Sequence, residues 1–144
     1  MGKLKVLFLC SGNSCRSQMA EGWARALRGD VIEPFSAGIV AHGLDPRTVR
    51  VMEEVGVDIS GQRSKPVGEL AGVRFDVVVT VCDGAGESCP FFPGSVKRLH
   101  IGFHDPPALA RDAATEEEAL QHYRRVRDEI RAFVEGMPGN LARG

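Results

Sequence analysis

Apolar residues recur along this chain in two rhythms, short runs and helical stripes. Leu4–Cys10 is a nearly unbroken run of β-formers, which predicts a buried strand. Gly12 marks a loop. From Cys15 to about Leu27, the residues Met19, Trp23, Ala26 and Leu27 keep helical spacing, and Gly29 closes the helix. Residues 31–37 read as a second strand, and Pro34 within it points to a sheet edge. Asp45 followed by Pro46 is an N-cap with proline at the first helical position. The helix it opens carries Val49, Met52 and Val55 and stops at Gly56. Residues 75–81, with four valines, form the clearest buried strand, and 96–101 a fourth. Thr115 with Glu118 makes a capping box. It starts the longest helix, whose stripe is Ala119, Tyr123, Val126, Ile130 and Val134, ending at Gly136.

The predicted order is β-α-β-α-β-loop-β-α, with connections long enough for crossovers. It implies a single α/β domain over residues 1–144, in three layers: a four-stranded parallel sheet with helices on both faces. Reactive groups of such folds gather beyond the carboxyl ends of the strands. Three segments rich in chemistry fall there: residues 10–17, 82–89 and 104–107.

Composition narrows the function classes. A net charge of −1 gives no basic excess for nucleic acid or an anionic membrane. The apolar run after Lys3 and Lys5 is too short for a secretion signal, and polar Gly12, Asn13 and Ser14 follow at once. No stretch is long enough to span a bilayer. A cytoplasmic protein is expected, and a monomer. Its four cysteines (Cys10, Cys15, Cys82, Cys89) then sit in a reducing compartment, where catalytic, redox or metal roles gain over structural disulfides.

The segment Cys10-Ser11-Gly12-Asn13-Ser14-Cys15-Arg16-Ser17 lies between a strand and a helix. A loop so placed can wrap its N–H groups around a tetrahedral oxyanion. Arg16 can give that anion two parallel hydrogen bonds. The same donors stabilise a thiolate, which makes Cys10 a nucleophile at neutral pH, with Ser17 as a further donor. Asn13 can hold the loop's shape. Without its setting, Cys-x5-Arg is a chance pattern around a buried cysteine. Cys15 reads as a packed small residue rather than a reactive one. Asp105, fixed by Pro106 and Pro107, is suited to protonate a leaving oxygen, against the plainer reading of an ordinary turn. None of His42, His100, His104 or His122 is assigned a role.

Cys82 and Cys89 are separated by six residues that include Gly84 and Gly86. A deformable segment can bring such a pair within the roughly 7 Å a disulfide needs, and release it again. The competing readings are a zinc site made of all four cysteines, whose spacings are wide for one and which would consume the nucleophile, and two unrelated core cysteines.

Together these motifs, with Gln18-Met19-Ala20-Glu21, Ser36-Ala37-Gly38, His42-Gly43, Cys89-Pro90 and Asp105-Pro106, resemble the thioredoxin-coupled arsenate reductases, which share their fold with low-molecular-weight tyrosine phosphatases. The resemblance runs over nearly the whole chain. It implies that residues 11–17 and Arg16 hold arsenate, with phosphate or sulfate as analogues, while Cys10 attacks it and Asp105 protonates the departing hydroxyl. Cys82 then attacks the Cys10 sulfur and arsenite leaves. Cys89 attacks Cys82, and reduced thioredoxin, rather than a bound cofactor, reduces the resulting disulfide. Weak phosphatase activity is implied too. Some members bind potassium with positions that are Asn13 and Ser36 here, plus a threonine and an aspartate. Arg63 and Lys65 stand where those two would lie, so the expectation is no metal, with the Lys65 ammonium supporting Asn13 in its place. Two rivals remain: a phosphotyrosine phosphatase, which would carry an aromatic residue soon after Asp105-Pro106 where this chain has Pro107, Ala108 and Leu109, and a non-catalytic oxyanion sensor.

Overall fold

The computed structural model describes residues 2–83, 92, 94 and 96–142. Four strands, β1 (Leu4–Cys10), β2 (Ile32–Gly38), β3 (Val77–Thr80) and β4 (Lys97–His100), form one sheet in the order β2-β1-β3-β4. All three pairings are parallel. β1 is interior and carries the most buried run, from Val6 to Cys10. β2 lies at an edge, as Pro34 requires, since proline has no N–H to give a second neighbour. β3 and β4 are shorter than their apolar runs.

The helices are α1 (Arg16–Arg28), α2 (Pro46–Glu53), α3 (Pro106–Ala110) and α4 (Glu116–Glu135). The side chain of Asp45 caps α2 by accepting from the Arg47 N–H at 3.0 Å. The α2 face turned inward is Thr48, Val51 and Met52, not the expected Val49-Met52-Val55 stripe, whose valines are only partly covered. At the start of α4 the Glu118 N–H donates to Thr115 Oγ1 at 3.0 Å, while the Glu118 carboxylate accepts from Ala114 N–H, one residue earlier than a reciprocal capping box. The predicted α4 stripe is buried at all five positions.

The sheet separates two apolar clusters. The larger holds Val6, Phe8, Val77, Val79 and Val81 against α1, α2 and α4. The smaller joins Leu7, Leu9, Ala37, Phe75 and Val78. Alternation along β1 sends its side chains to the two faces in turn. α3 has no counterpart in the predicted elements. Its N-cap is Asp105, so the segment read as a loop is a helix start. Among the described residues, no helix is long and apolar enough to cross a membrane.

Candidate active site

The loop between β1 and α1 is held open by its own carbonyls. Ser11 O accepts from the Ile39 and Val40 N–H groups at 3.0 and 3.2 Å, Gly12 O from His42 N–H at 2.9 Å, and Ser14 O from Asp45 N–H at 3.1 Å. All the donors lie on the β2–α2 connection. In a planar trans peptide the next N–H points opposite to the carbonyl, so the Gly12 and Cys15 amides turn inward. The chain passes close at Gly38, where a Cβ would sit 2.7 Å from Val40 O, 2.8 Å from Asn13 N and 2.9 Å from Ser11 O. Asn13 takes the left-handed conformation, φ 50°, that closes the loop.

The loop bounds a cavity of about 230 Å³ lined by Cys10, Ser11, Gly12, Ser14, Cys15, Arg16, His42, Asp105 and Pro107. That is below the roughly 300 Å³ where pockets for drug-sized ligands begin, and it suits a small anion. Cys10 is buried and its Sγ lies 2.9 Å from Ser17 Oγ. Ser17 Oγ accepts from Asn13 Nδ2 at 2.8 Å, which leaves the Ser17 proton for the sulfur. Arg16 is buried. Its Nη1 donates to Phe103 O at 3.0 Å and its Nη2 faces Asp105 Oδ1 at 3.6 Å. Asp105 itself is about one-third exposed, so solvent reaches it as an acid must be reached. The sheet thus brings together Cys10, Arg16, Ser17 and Asp105, as the sequence led us to expect. His42, assigned no role from the motifs, also lines the cavity. Its imidazole packs on Gly12 so closely that a Cβ there would lie 2.5 Å from Nδ1. The His42-Gly43 motif was the available signal.

Cys15 is free and buried, and burial pushes its thiol well above the ordinary value. That agrees with the packed, unreactive part expected for it. It is the N-cap of α1 rather than a member of its first turn. Cys82 is fully buried and disulfide-bonded, while Cys10 is a free thiol. Cys89, the other half of the expected redox pair, lies outside the described residues. β3 runs beside β1 with Leu9 opposite Thr80, and the Val81 N–H donates to Leu9 O at 2.9 Å. Cys82 therefore follows the residue that faces Cys10.

The potassium ligands implied by the resemblance do not fit a cation here. Asn13 Oδ1 already accepts from Lys65 N–H at 2.9 Å and from Gln18 Nε2 at 3.1 Å. Ser36 Oγ donates to Glu21 at 2.6 Å. The half-buried Lys65 brings its own positive charge, although burial lowers its pKa. The expected role of Lys65 needs one correction: its backbone amide supports Asn13, while its ammonium donates to Arg63 O at 2.9 Å. The ammonium is drawn there because the Asn13 oxygen is filled by main-chain and amide donors.

Residues 5–143 match the model of the low molecular weight phosphotyrosine protein phosphatase family. The chain belongs to that family. Arsenate reductases are among its relatives. The arsenate reductase of Bacillus subtilis is 53% identical over 125 residues, covering 87% of this chain and 88% of that protein. The solved structure of an arsenate reductase in the phosphate binding state superposes with a TM-score of 0.75 at 35% identity, over 96% of this chain and 98% of the other. A thioredoxin-dependent arsenate reductase of Corynebacterium glutamicum gives a TM-score of 0.63 at 25% identity, over 98% of this chain and 64% of the other. The family fold explains why strand, loop and helix meet at the Cys10 cavity. Among the described residues, two larger cavities, of about 500 and 650 Å³, are lined without a cysteine.

Proposed function

We propose that this chain reduces arsenate to arsenite, in the cytoplasm, with thioredoxin as the electron donor. Arsenate enters the cavity at Cys10, held by the loop amides of residues 11–17 and by Arg16. The Cys10 thiolate, which accepts from Ser17, attacks arsenic, and Asp105 gives its proton to the departing oxygen. The Cys82 thiolate attacks the Cys10 sulfur. The sulfur–arsenic bonding pair stays on arsenic, which leaves as arsenite, and a Cys10–Cys82 disulfide remains. Cys89 displaces Cys10 from Cys82, and the dithiol of thioredoxin reduces the Cys82–Cys89 bond. Two electrons pass from thioredoxin to arsenic in each cycle.

The observation that carries this reading is the register of β1 and β3: Leu9 stands opposite Thr80, so the chain reaches Cys82 one residue beyond the position facing Cys10, whose thiol lines the cavity. A phosphatase would need no such neighbour. The shared cavity still supports slow hydrolysis of aryl phosphates.

The test is arsenate-dependent NADPH consumption with thioredoxin and its reductase. Wild type is expected to turn over. Cys82→Ser and Cys89→Ser are expected to stop, yet to keep their aryl phosphate hydrolysis. No arsenate-dependent consumption by wild type would refute the reductase reading.

A further inference from the structure

Behind Ser17 lies a chain of amides that the sequence motifs do not reveal. Asn13, Ser17 and Gln18 are all fully buried. Gln18 Nε2 lies 3.1 Å from Asn13 O and 3.3 Å from Arg63 O. Both are main-chain carbonyls, which only accept, so this end of the Gln18 amide is its NH2. The Asn13 side-chain atom facing it also accepts from the Lys65 main-chain N–H, so that atom is Oδ1. Asn13 then has its NH2 toward Ser17, and the Ser17 hydroxyl has one direction left for its proton, the Cys10 sulfur. Gln62 fixes the far end. Its Nε2 donates to Gln18 O at 3.1 Å and to Gln18 Oε1 at 2.7 Å. Its own oxygen accepts from Arg25 Nη1 at 2.7 Å.

Three carbonyls and one N–H of the main chain thus orient three amides, and the amides orient one hydroxyl. We propose that Gln18, held by Gln62, is a positioning residue for Cys10: it locks the Asn13 amide so that the Ser17 hydroxyl must donate to the sulfur. Without Gln18 only the Lys65 N–H holds the Asn13 oxygen, and the amide reverses more readily. Its oxygen would then accept the Ser17 proton, and the thiolate would lose a donor. The inference rests on Cys10 being the nucleophile, and it extends the working site to two residues that touch neither substrate nor sulfur.

The test uses Gln18→Met and Gln62→Met, which keep side-chain length and remove the amide. Alkylation of Cys10 by iodoacetamide is followed by mass spectrometry on the reduced protein between pH 5 and 9. Gln18→Met is expected to move the alkylation profile to higher pH, slowing the reaction at pH 6 by roughly tenfold, the scale of one hydrogen bond to a charged group. Gln62→Met is expected to act in the same direction and less, and it serves alone if Gln18→Met does not fold. Ser17→Ala should shift the profile at least as far as Gln18→Met. The double variant should then shift no further, because Gln18 acts through Ser17. Unchanged profiles in folded variants, or shifts that add in the double variant, would overturn the proposal. Alkylation needs no arsenate, so a wild type that fails in the NADPH assay would refute the reductase reading and leave this result standing.

Discussion

At the scale of single residues, the site depends on how closely two main-chain segments approach. Gly38 ends β2, and the three atoms nearest its missing Cβ, all within 3 Å, are backbone of residues 11, 13 and 40. Backbone cannot swing aside as a side chain can, so the anion loop itself must move. Gly38→Ala is expected to cost about 1–3 kcal/mol of stability, lowering Tm by roughly 3–15 °C, and to weaken arsenate turnover together with aryl phosphate hydrolysis. Gly61→Ala is the control, since nothing lies within 4 Å of its Cβ position. Thermal melts and kinetics of the pair check this. A Gly38→Ala protein with wild-type kinetics would mean that the loop does not need the close approach. The pattern Cys-x5-Arg pointed to the loop, and Ser17 was legible as a donor. Gln18 was not. Its role needs residue 62, brought near by a loop after α2, and no periodicity reports which amides will meet.

At the scale of elements, α4 does more than cover the sheet. Its Trp23 contact, in which the indole N–H donates to Arg127 O at 3.1 Å, ties it to α1. Its arginines hold the end of α2. Arg124 donates twice to Glu54, at 2.9 and 2.8 Å, and the buried Arg127 reaches both Glu54 and the Val51 carbonyl. Tyr123 Oη donates to Asp45 Oδ2 at 2.6 Å, and Asp45 N–H holds the anion loop at Ser14. α4 is therefore linked to the cavity through the α2 cap. The Arg124 hydrogen bonds, ahead of the Arg127 contact, hold the Glu54 carboxyl below its ordinary value. A depressed carboxyl contributes stability above its unfolded value, near 4.3, and loses it as pH falls through the folded value. Glu54 is about one-third exposed, so screening limits the gain. Glu54→Gln is expected to lose about 0.5–1 kcal/mol at pH 7, with the difference from wild type closing below pH ~4.3. Urea titrations at pH 7 and pH 3 measure it. A constant difference at both would show that packing, not charge, holds this corner. Helical periodicity predicted α4 in full because one face meets the core over five turns. It did not predict α3. Five residues starting with two prolines show no period, and only the fold gives Asp105 its place as a helix cap.

At the scale of the molecule, a parallel sheet gathers parts that are remote in the chain. Cys10 ends β1, Cys82 and Asp105 follow β3 and β4, and all three lie at the carboxyl ends of the strands. Neighbouring strands about 4.8 Å apart and one residue of offset, about 3.3 Å, would place the Cys10 and Cys82 Cα atoms about 6 Å apart if the register continues. That separation is within the roughly 4.4–6.8 Å that a disulfide spans. β3 ends at Thr80, so Cys82 lies beyond the pleat that would fix its side chain to one face. The register was not readable from the sequence, which gave the strands and not which residues stand side by side. It makes a definite demand of the relay. In Cys89→Ser, the reduced protein treated with arsenate and no thioredoxin should stop at a Cys10–Cys82 disulfide, seen as a cross-linked peptide that reductant releases, with about one arsenite formed per chain. Cys15 is the competing partner, being in the same cavity. Its buried thiol holds its proton, and the thiolate is the attacking species. A Cys10–Cys15 cross-link as the main product would mean that the sheet's register does not select the second sulfur, and the order of exchange proposed for this chain would fail with it.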